Sequence, residues 1–165
     1  MQVAPAPPRP RADPFGATPG KLSATLFGNL GLFTESAASV ATRPGVSAEF
    51  HLGYGVTPEL SLVGIGELGF VLQDTGQLVP ITLAAAARAE HVGPVKLLGG
   101  AGFTLAPYLG APASAPASSF AGLALLAEAV YPMPGTPLAL KGRISLHPLS
   151  NVTLIVFTAG GGVAF

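Results

Sequence analysis

Residues 152–165, VTLIVFTAGGGVAF, are the stretch of sequence that decides the fold. In a β-strand, every second side chain shares a face. One face carries Ile155, Phe157, Ala159, Gly161, Val163 and Phe165, and the other carries Leu154, Val156, Thr158, Gly160, Gly162 and Ala164. A strand that ends on an aromatic side chain offers a sticky open edge in water. We therefore expect this edge to be paired and the ring of Phe165 to lie in lipid.

The composition of the whole chain agrees with a lipid environment. Of the 165 residues, 49% are hydrophobic and 10% are charged, whereas about a quarter of an ordinary soluble domain is charged. No stretch approaches the ~18 consecutive apolar residues that a transmembrane helix needs. This combination leaves two classes: a soluble all-β barrel or sandwich with an unusually apolar surface, or a transmembrane β-barrel.

Charge and motif content exclude several functions. Eight acidic residues balance eight basic ones, so net charge attracts no nucleic acid. The chain has no cysteine, which rules out disulfides and thiolate metal ligands. Residues 64–69 (GIGELG) fit the dinucleotide pattern GxGxxG, but that motif needs a strand before it and a helix after it. Here it lies inside one alternating segment, so we predict no cofactor, and three scattered histidines predict no metal site.

Alternation of apolar and polar residues divides residues 21–165 into eight predicted strands. They are residues 21–33, 46–56, 60–72, 79–92, 95–107, 119–131, 138–149 and 152–165. The fourth contains AAAARAE, which helix propensity would assign to a helix, but its alternation favours a strand. Residues 1–20 hold six prolines and predict a flexible, disordered tail outside the core.

The first five connections between the predicted strands alternate in length, whereas the sixth (residues 132–137) and the seventh (about residues 150–151) do not follow this rule. The longer ones are residues 34–45, 73–78 and 108–118, and the shorter ones are residues 57–59 and 93–94. This asymmetry is typical of an up-and-down barrel that crosses an outer membrane. We predict an all-β fold, a closed antiparallel eight-stranded transmembrane β-barrel of residues 21–165 with both termini in the periplasm.

The polar faces of these strands predict what fills the barrel. Together they carry Glu49, His51, Glu67, Arg88, Glu90, Lys96, Glu128, Lys141, Arg143 and His147. An eight-stranded barrel is only wide enough for side chains to fill it, and buried ions must be paired because isolated ones are costly. We therefore predict a plugged interior of paired charges. An ion- or proton-conducting lumen is the alternative.

Two cross-strand contacts follow from the expected turns. Glu128 is expected opposite Lys141, within reach of an ion pair. Glu49 is expected opposite Glu67, a like-charge contact that needs a cation nearby. The candidates for that cation are Arg88 and Arg143.

At this point the chain resembles the small eight-stranded bacterial outer-membrane proteins, the group that includes the OmpA membrane domain. In that group the last strand ends in an aromatic residue preceded by hydrophobic residues at every second position. Phe157, Val163 and Phe165 match this pattern, whereas Ala159 and Gly161 are smaller than usual. The resemblance implies an outer-membrane location, recognition by the barrel assembly machinery, contact with outer-membrane lipids and a monomer. It identifies no activity.

Ser145 and His147 share a face of the seventh predicted strand, and a carboxylate would complete a hydrolytic triad. Outer-membrane lipid deacylases resemble this arrangement, but their serine and histidine come in the opposite order and face lipid. Here both residues face the lumen, so polar filling beside Arg143 is the favoured interpretation. We predict a non-enzymatic structural or surface-interaction protein. A lipid-modifying hydrolase that uses Ser145 and His147 is the alternative, with the narrow channel as a further one.

Overall fold

A computed structural model of the chain describes residues 15, 18–36, 40–74, 76–92, 94–110 and 119–165, without the side chains of residues 91 and 92. The described chain is all β. Its strands are β1 (Leu22–Ser36), β2 (Val40–Thr57), β3 (Leu60–Gln73), β4 (Gly76–Leu78), β5 (Ile81–Val92), β6 (Val95–Leu109), β7 (Ser119–Pro132), β8 (Leu138–Pro148) and β9 (Thr153–Ala164). Among these residues, no helix is long and apolar enough to cross a membrane.

The strands form one closed antiparallel ring. Strands that follow one another in sequence pair with each other, except β4 and β5, and β9 returns to pair with β1. Strands β4 and β5 share one position because both lie between β3 and β6. The ring therefore has eight positions, and the predicted eight-stranded up-and-down barrel is confirmed.

The alanine-rich segment is strand β5, as its alternation predicts, although β4 lies in the predicted loop of residues 73–78. Pro80 separates the two strands because proline has no N–H to donate to a ladder. Its carbonyl oxygen accepts a hydrogen bond of 2.8 Å from the backbone N–H of Gly69. Tertiary pairing thus overrides helix propensity in this part of the chain.

The prediction of a loop at residues 34–45 is wrong, because β1 continues to Ser36 and β2 begins at Val40. The hydroxyl groups of Thr34 and Thr42 meet at 3.0 Å across the pair. Pro44 is tolerated because β2 pairs with β1 alone at this height, and proline is accepted on an edge. Strand β6 likewise extends to Leu109, into the predicted loop of residues 108–118, of which residues 111–118 lie outside the described chain.

The two ends of the barrel differ. β1 begins and β9 ends at one end, here called the terminal end, where residues 58–59, 93–94 and 133–137 connect the strands. The other end, the loop end, carries the remaining connections.

The barrel wall is apolar outside and polar inside. Along β8 the pattern alternates at every residue, with Leu138, Leu140, Ile144 and Leu146 outside and Lys141, Arg143, Ser145 and His147 inside. A soluble barrel has the opposite arrangement, because its apolar face must be removed from water. The outward residues of the other strands repeat the pattern of β8.

Three apolar clusters accompany the polar interior. The loop-end cluster consists of Phe33, Val71, Leu78, Ala106, Leu149, Leu154 and Val156. The terminal-end cluster consists of Phe15, Phe27, Val130, Ala139 and Ala164. The wall cluster consists of Val63, Ile65, Ala86, Leu98 and Leu126. Apolar side chains therefore occupy both ends of the interior.

Gly162 of β9 makes room for the aromatic side chain of Phe27 on β1. A Cβ built on Gly162 would overlap the ring of Phe27, which is 2% exposed. A Cβ on the outward-facing Gly161 would only make ordinary contact, 3.7 Å from the carbonyl oxygen of Ala139. Gly162, which lies on the opposite face from the small pattern residues Ala159 and Gly161, therefore has a packing role.

Candidate functional site

The closed ring brings polar side chains of opposite walls into contact at mid-height. Strands β2 and β3 contribute acids and a histidine, and β7 and β8 contribute an acid and two bases. This central cluster consists of Glu49, His51, Glu67, Glu128, Lys141 and Arg143, all buried. The small circumference of eight strands lets these side chains meet across the lumen.

Arg143 bridges two acids of the opposite wall. Glu49 and Glu67 are direct cross-strand partners, so their like charges would repel without a cation. The Nη1 atom of Arg143 lies 2.5 Å from Oε2 of Glu49, and its Nη2 atom contacts Oε1 of Glu67. The structure therefore places Arg143 at the like-charge contact. Arg88, the other candidate, binds Glu90 instead.

Lys141 lies between two further carboxylates. Its Nζ atom is 2.6 Å from Oε2 of Glu49 and 3.0 Å from Oε2 of Glu128. The same ammonium lies 4.6 Å from the ring centroid of Phe27, a cation–π contact. His51 completes the group, with Nε2 in contact with Oε1 of Glu49.

The expectation that Glu128 lies directly opposite Lys141 is wrong by two residues. Glu128 pairs with Arg143, and Lys141 pairs with Val130. The whole hairpin is shifted by two residues from the expected register, since Tyr131 pairs with Leu140 and Pro132 with Ala139. Lysine still reaches the carboxylate along the diagonal, which is within range of a long side chain.

A second group of charges, the basal cluster, lies along one wall near the terminal end. It is centred on Glu90, which accepts hydrogen bonds from Ser61 Oγ at 2.5 Å, Arg88 Nε at 2.7 Å and Lys96 Nζ at 2.7 Å. These residues come from the neighbouring strands β3, β5 and β6. The basal cluster therefore holds one acid and two bases, whereas the central cluster holds three acids, two bases and a histidine.

Ser145 and His147 meet above the central cluster. Ser145 Oγ lies 2.8 Å from Nε2 of His147, and Thr104 Oγ1 lies 2.7 Å from Nδ1. A hydrolytic triad uses a carboxylate at Nδ1 to stabilise the imidazolium, and a threonine hydroxyl carries no charge to do so. Both residues are 2% exposed and lie inside the barrel, so they do not meet the apolar outer face.

One set of side chains has the geometry of a metal site. Ligand atoms of Glu49, His51 and Glu128 lie within 4.8 Å of one another, and carboxylate oxygen and imidazole nitrogen are ligands that Zn²⁺ accepts. However, Nζ of Lys141 lies within 3.0 Å of both carboxylates. Its charge already supplies the cation that this group needs, so the contacts fit an ion-pair cluster better than a metal centre.

The interior network predicted from the sequence names charged residues and histidines and leaves out the uncharged part of the interior. Asn29 donates from Nδ2 to Oγ of Ser47 at 3.1 Å, and Phe27 tilts against the ring of His51 with centroids 5.1 Å apart. The available signal was alternation, since Phe27 shares a face with Asn29. Among the three residues of the C-terminal pattern, Phe157 and Phe165 face outward and are exposed, and Val163 is half-buried.

Polar pairs also join the strands at the loop end. Arg43 Nη2 lies 2.9 Å from Oδ2 of Asp74, and Gln73 donates from Nε2 to Oε1 of Glu35 at 2.5 Å. The hydrogen bond from Arg43 holds the pKa of Asp74 below its ordinary value. Burial raises the pKa of the Glu35 carboxyl, against the opposing charge of Arg43.

Comparison with known proteins defines the fold class. No protein-family model matches the sequence, and no curated protein sequence matches it. The solved structure of Ail, the attachment invasion locus protein of Yersinia pestis, is similar with a TM-score of 0.65 and 14% identity, covering 90% of this chain and 100% of that chain.

Two further structures have the same fold. Neisserial surface protein A is similar with a TM-score of 0.57 and 18% identity, covering 86% of this chain and 97% of that chain. The N-terminal β-barrel domain of Pseudomonas aeruginosa OprF gives 0.56 and 13%, with coverage of 84% and 97%. The chain therefore has the fold of the small eight-stranded outer-membrane β-barrels.

Proposed function

We propose that this protein is a monomeric integral outer-membrane barrel whose interior is filled by paired charges and closed to ions. On this proposal it acts as a structural or surface-interaction protein and not as an enzyme. The observation that carries the proposal is the central cluster, whose ion pairs cross the lumen from β2 and β3 to β8. A conducting pore would need water where these side chains lie.

The outer surface supports the membrane location. Large apolar side chains are exposed on every long strand, among them Leu83 at 69%, Leu123 at 63% and Phe103 at 53%. Contiguous apolar surface of this extent marks contact with lipid or another protein. Tyr54 and Tyr131 are exposed near the terminal end, where aromatic side chains of membrane barrels meet the lipid headgroups.

Detergent dependence tests the membrane location. We expect the refolded chain to remain soluble and monomeric in detergent micelles, to aggregate after detergent removal, and to migrate faster on a gel before heating than after it. A protein that stays monodisperse without detergent would contradict the proposal and favour a soluble barrel.

The remaining parts of the proposal concern orientation and partners. We place the terminal end in the periplasm and the loop end outside, with Phe157, Val163 and Phe165 read by the barrel assembly machinery. Replacing Phe165 by Ser should lower the amount assembled in cells while leaving refolding in detergent unchanged. Equal loss in both assays would assign Phe165 to stability instead.

A role at the cell surface is supported by two of the similar structures. One is named an attachment invasion locus protein and the other a surface protein. Deleting the gene and measuring adhesion to host cells or surfaces tests this part; unchanged adhesion would favour a purely structural role in the envelope.

A lipid-modifying hydrolase is the second candidate, favoured by the 2.8 Å contact between Ser145 and His147. Their burial inside the barrel argues against it, because a lipid substrate lies outside. The variant Ser145→Ala separates the two functions. An unchanged profile of lipid A acyl chains in cells would exclude the hydrolase, and loss of a deacylated species would establish it.

A further inference from the structure

A residue of the proline-rich segment lies inside the barrel. Phe15 is 1% exposed and packs with Phe27, Val130, Ala139 and Ala164 in the terminal-end cluster. The sequence assigns it to a flexible tail outside the core. Its burial shows that the side chain of Phe15 belongs to the barrel's interior.

The described residues that follow Phe15 are fixed to the end of β2. The backbone N–H of Gly20 donates to the carbonyl oxygen of Gly55 at 2.9 Å, and the N–H of Gly55 donates to Lys21 at 3.1 Å. The N–H of Lys21 in turn donates to the carbonyl oxygen of Thr18 at 3.0 Å. Two backbone hydrogen bonds therefore hold residues 18–21 against the end of β2, and the third closes a turn within the segment.

The absence of a side chain at Gly55 allows this contact. A Cβ at this position would overlap the backbone of Thr18, with its carbonyl carbon at 2.8 Å. The backbone of Gly55 has no positive φ, so its conformation alone does not require glycine. The close approach of the N-terminal segment gives the reason for a glycine here.

Behind Phe15 lies the charged interior. Phe27 belongs to the same cluster as Phe15. The centroid of its ring lies 4.6 Å from Nζ of Lys141 and 5.1 Å from the centroid of the His51 ring. The terminal-end cluster thus lies between the central cluster and the terminal end. At the opposite end, the loop-end cluster fills the corresponding position.

We propose that Phe15, held by residues 18–21, is a built-in stopper that closes the terminal end of the barrel, and that its withdrawal admits water to the central cluster. The proposal rests on the closed interior proposed above. It assigns Phe15 a function: closure of one end of the lumen by the chain's own side chain.

A single introduced cysteine tests the stopper, since the chain has none of its own. Thr25 is 3% exposed and pairs with His51 and Ala164 on the neighbouring strands. Thr25→Cys in the full chain, refolded in detergent, reports access of a small hydrophilic thiol reagent to the interior at the terminal end. Gel mobility before and after heating verifies the barrel in every variant.

The parent in this test is the Thr25→Cys chain, and we expect its thiol to be labelled slowly. Adding Phe15→Ala should raise the labelling rate about tenfold or more, because the rate follows the population of the open state. Gly55→Val should act in the same direction by displacing residues 18–21, which keeps the test valid if Phe15→Ala does not fold. Phe15→Leu, which remains apolar, should label slowly. The outward-facing Phe157→Ala is the matched control and should change the rate by less than about twofold.

The outcomes separate the two proposals. Slow labelling in the parent, in Phe15→Ala and in Gly55→Val would overturn the stopper while leaving the closed interior intact. Fast labelling of the parent would overturn both, because the interior would already admit water. Slow labelling of the parent together with fast labelling of Phe15→Ala and of Gly55→Val supports the stopper.

Discussion

The central and basal clusters both pair glutamate with arginine and lysine, but they differ in whether the ion pairs cross the lumen. The central cluster joins opposite walls, with Arg143 on β8 paired to Glu49 on β2, 94 residues away. The basal cluster stays on one wall, where Glu90 binds Arg88 and Lys96, two and six residues away. Ion pairs that cross the lumen fill it, whereas ion pairs along the wall only satisfy their own charges. The two clusters should therefore respond differently to the same substitution.

Loss of the central acid should have the largest effect. Glu49→Gln breaks two lumen-crossing ion pairs at once and leaves Lys141 and Arg143 with Glu128 and Glu67 alone, and removing one partner of a buried ion pair costs about 3–5 kcal/mol. Urea unfolding of the refolded barrel measures this loss of stability. Glu59→Gln, the same substitution at an exposed turn position, is the control and should change nothing. Equal stability of both variants would show that the lumen-crossing pairs are not structural.

The basal acid should matter less. Glu90→Gln removes the carboxylate that Arg88 and Lys96 share, but Lys96 lies one residue from the start of β6, and a long side chain there can extend its charge to water. We expect a loss of about 2–3 kcal/mol in the same unfolding experiment. A loss larger than that of Glu49→Gln would reverse the ranking of the clusters.

The packing beneath the central cluster can be tested with adjacent glycines. Gly162→Ala places a Cβ against the ring of Phe27, and such overpacking costs about 1–3 kcal/mol. Gly161→Ala faces outward and makes only ordinary contact, so its stability should equal that of the parent. Equal unfolding of both variants would show that the ring of Phe27 is free to move and that this ring does not support Lys141.

The smallest effect is expected at the loop end. Asp74→Asn removes the partner of Arg43, but the side chain of Asp74 is 82% exposed, and exposed ion pairs contribute little. Because the pKa of Asp74 is lowered on folding, any contribution is present above its unfolded-state pKa and is lost as pH falls through the folded-state value. We expect Asp74→Asn and the parent to have the same unfolding midpoint as each other, both at neutral pH and at acidic pH. A clear difference at neutral pH alone would show that this pair is structural.

The sequence predicts most of the wall and less of the interior. Period-two alternation identifies all eight ring positions and assigns Glu49 and Arg143 to the inner face. It offers Arg88 and Arg143 as candidate cations for Glu49 and Glu67 but does not choose between them, because contact across a lumen depends on ring closure and register. It also places Phe15 outside the core, since a proline-rich segment has no periodicity to reveal a single buried side chain. The error at residues 34–45 has a similar origin, because polar residues extend a strand above the membrane as readily as they form a loop.

Single-channel recording tests the central claim most directly. The full chain, refolded and verified by its heat-dependent gel mobility, is inserted into planar lipid bilayers and held at a range of voltages. A lumen crossed by the pairs of Lys141 and Arg143 with Glu49 predicts a flat baseline with no stepwise currents. Reproducible current steps from the unmodified protein would contradict the closed interior and establish the barrel as a channel.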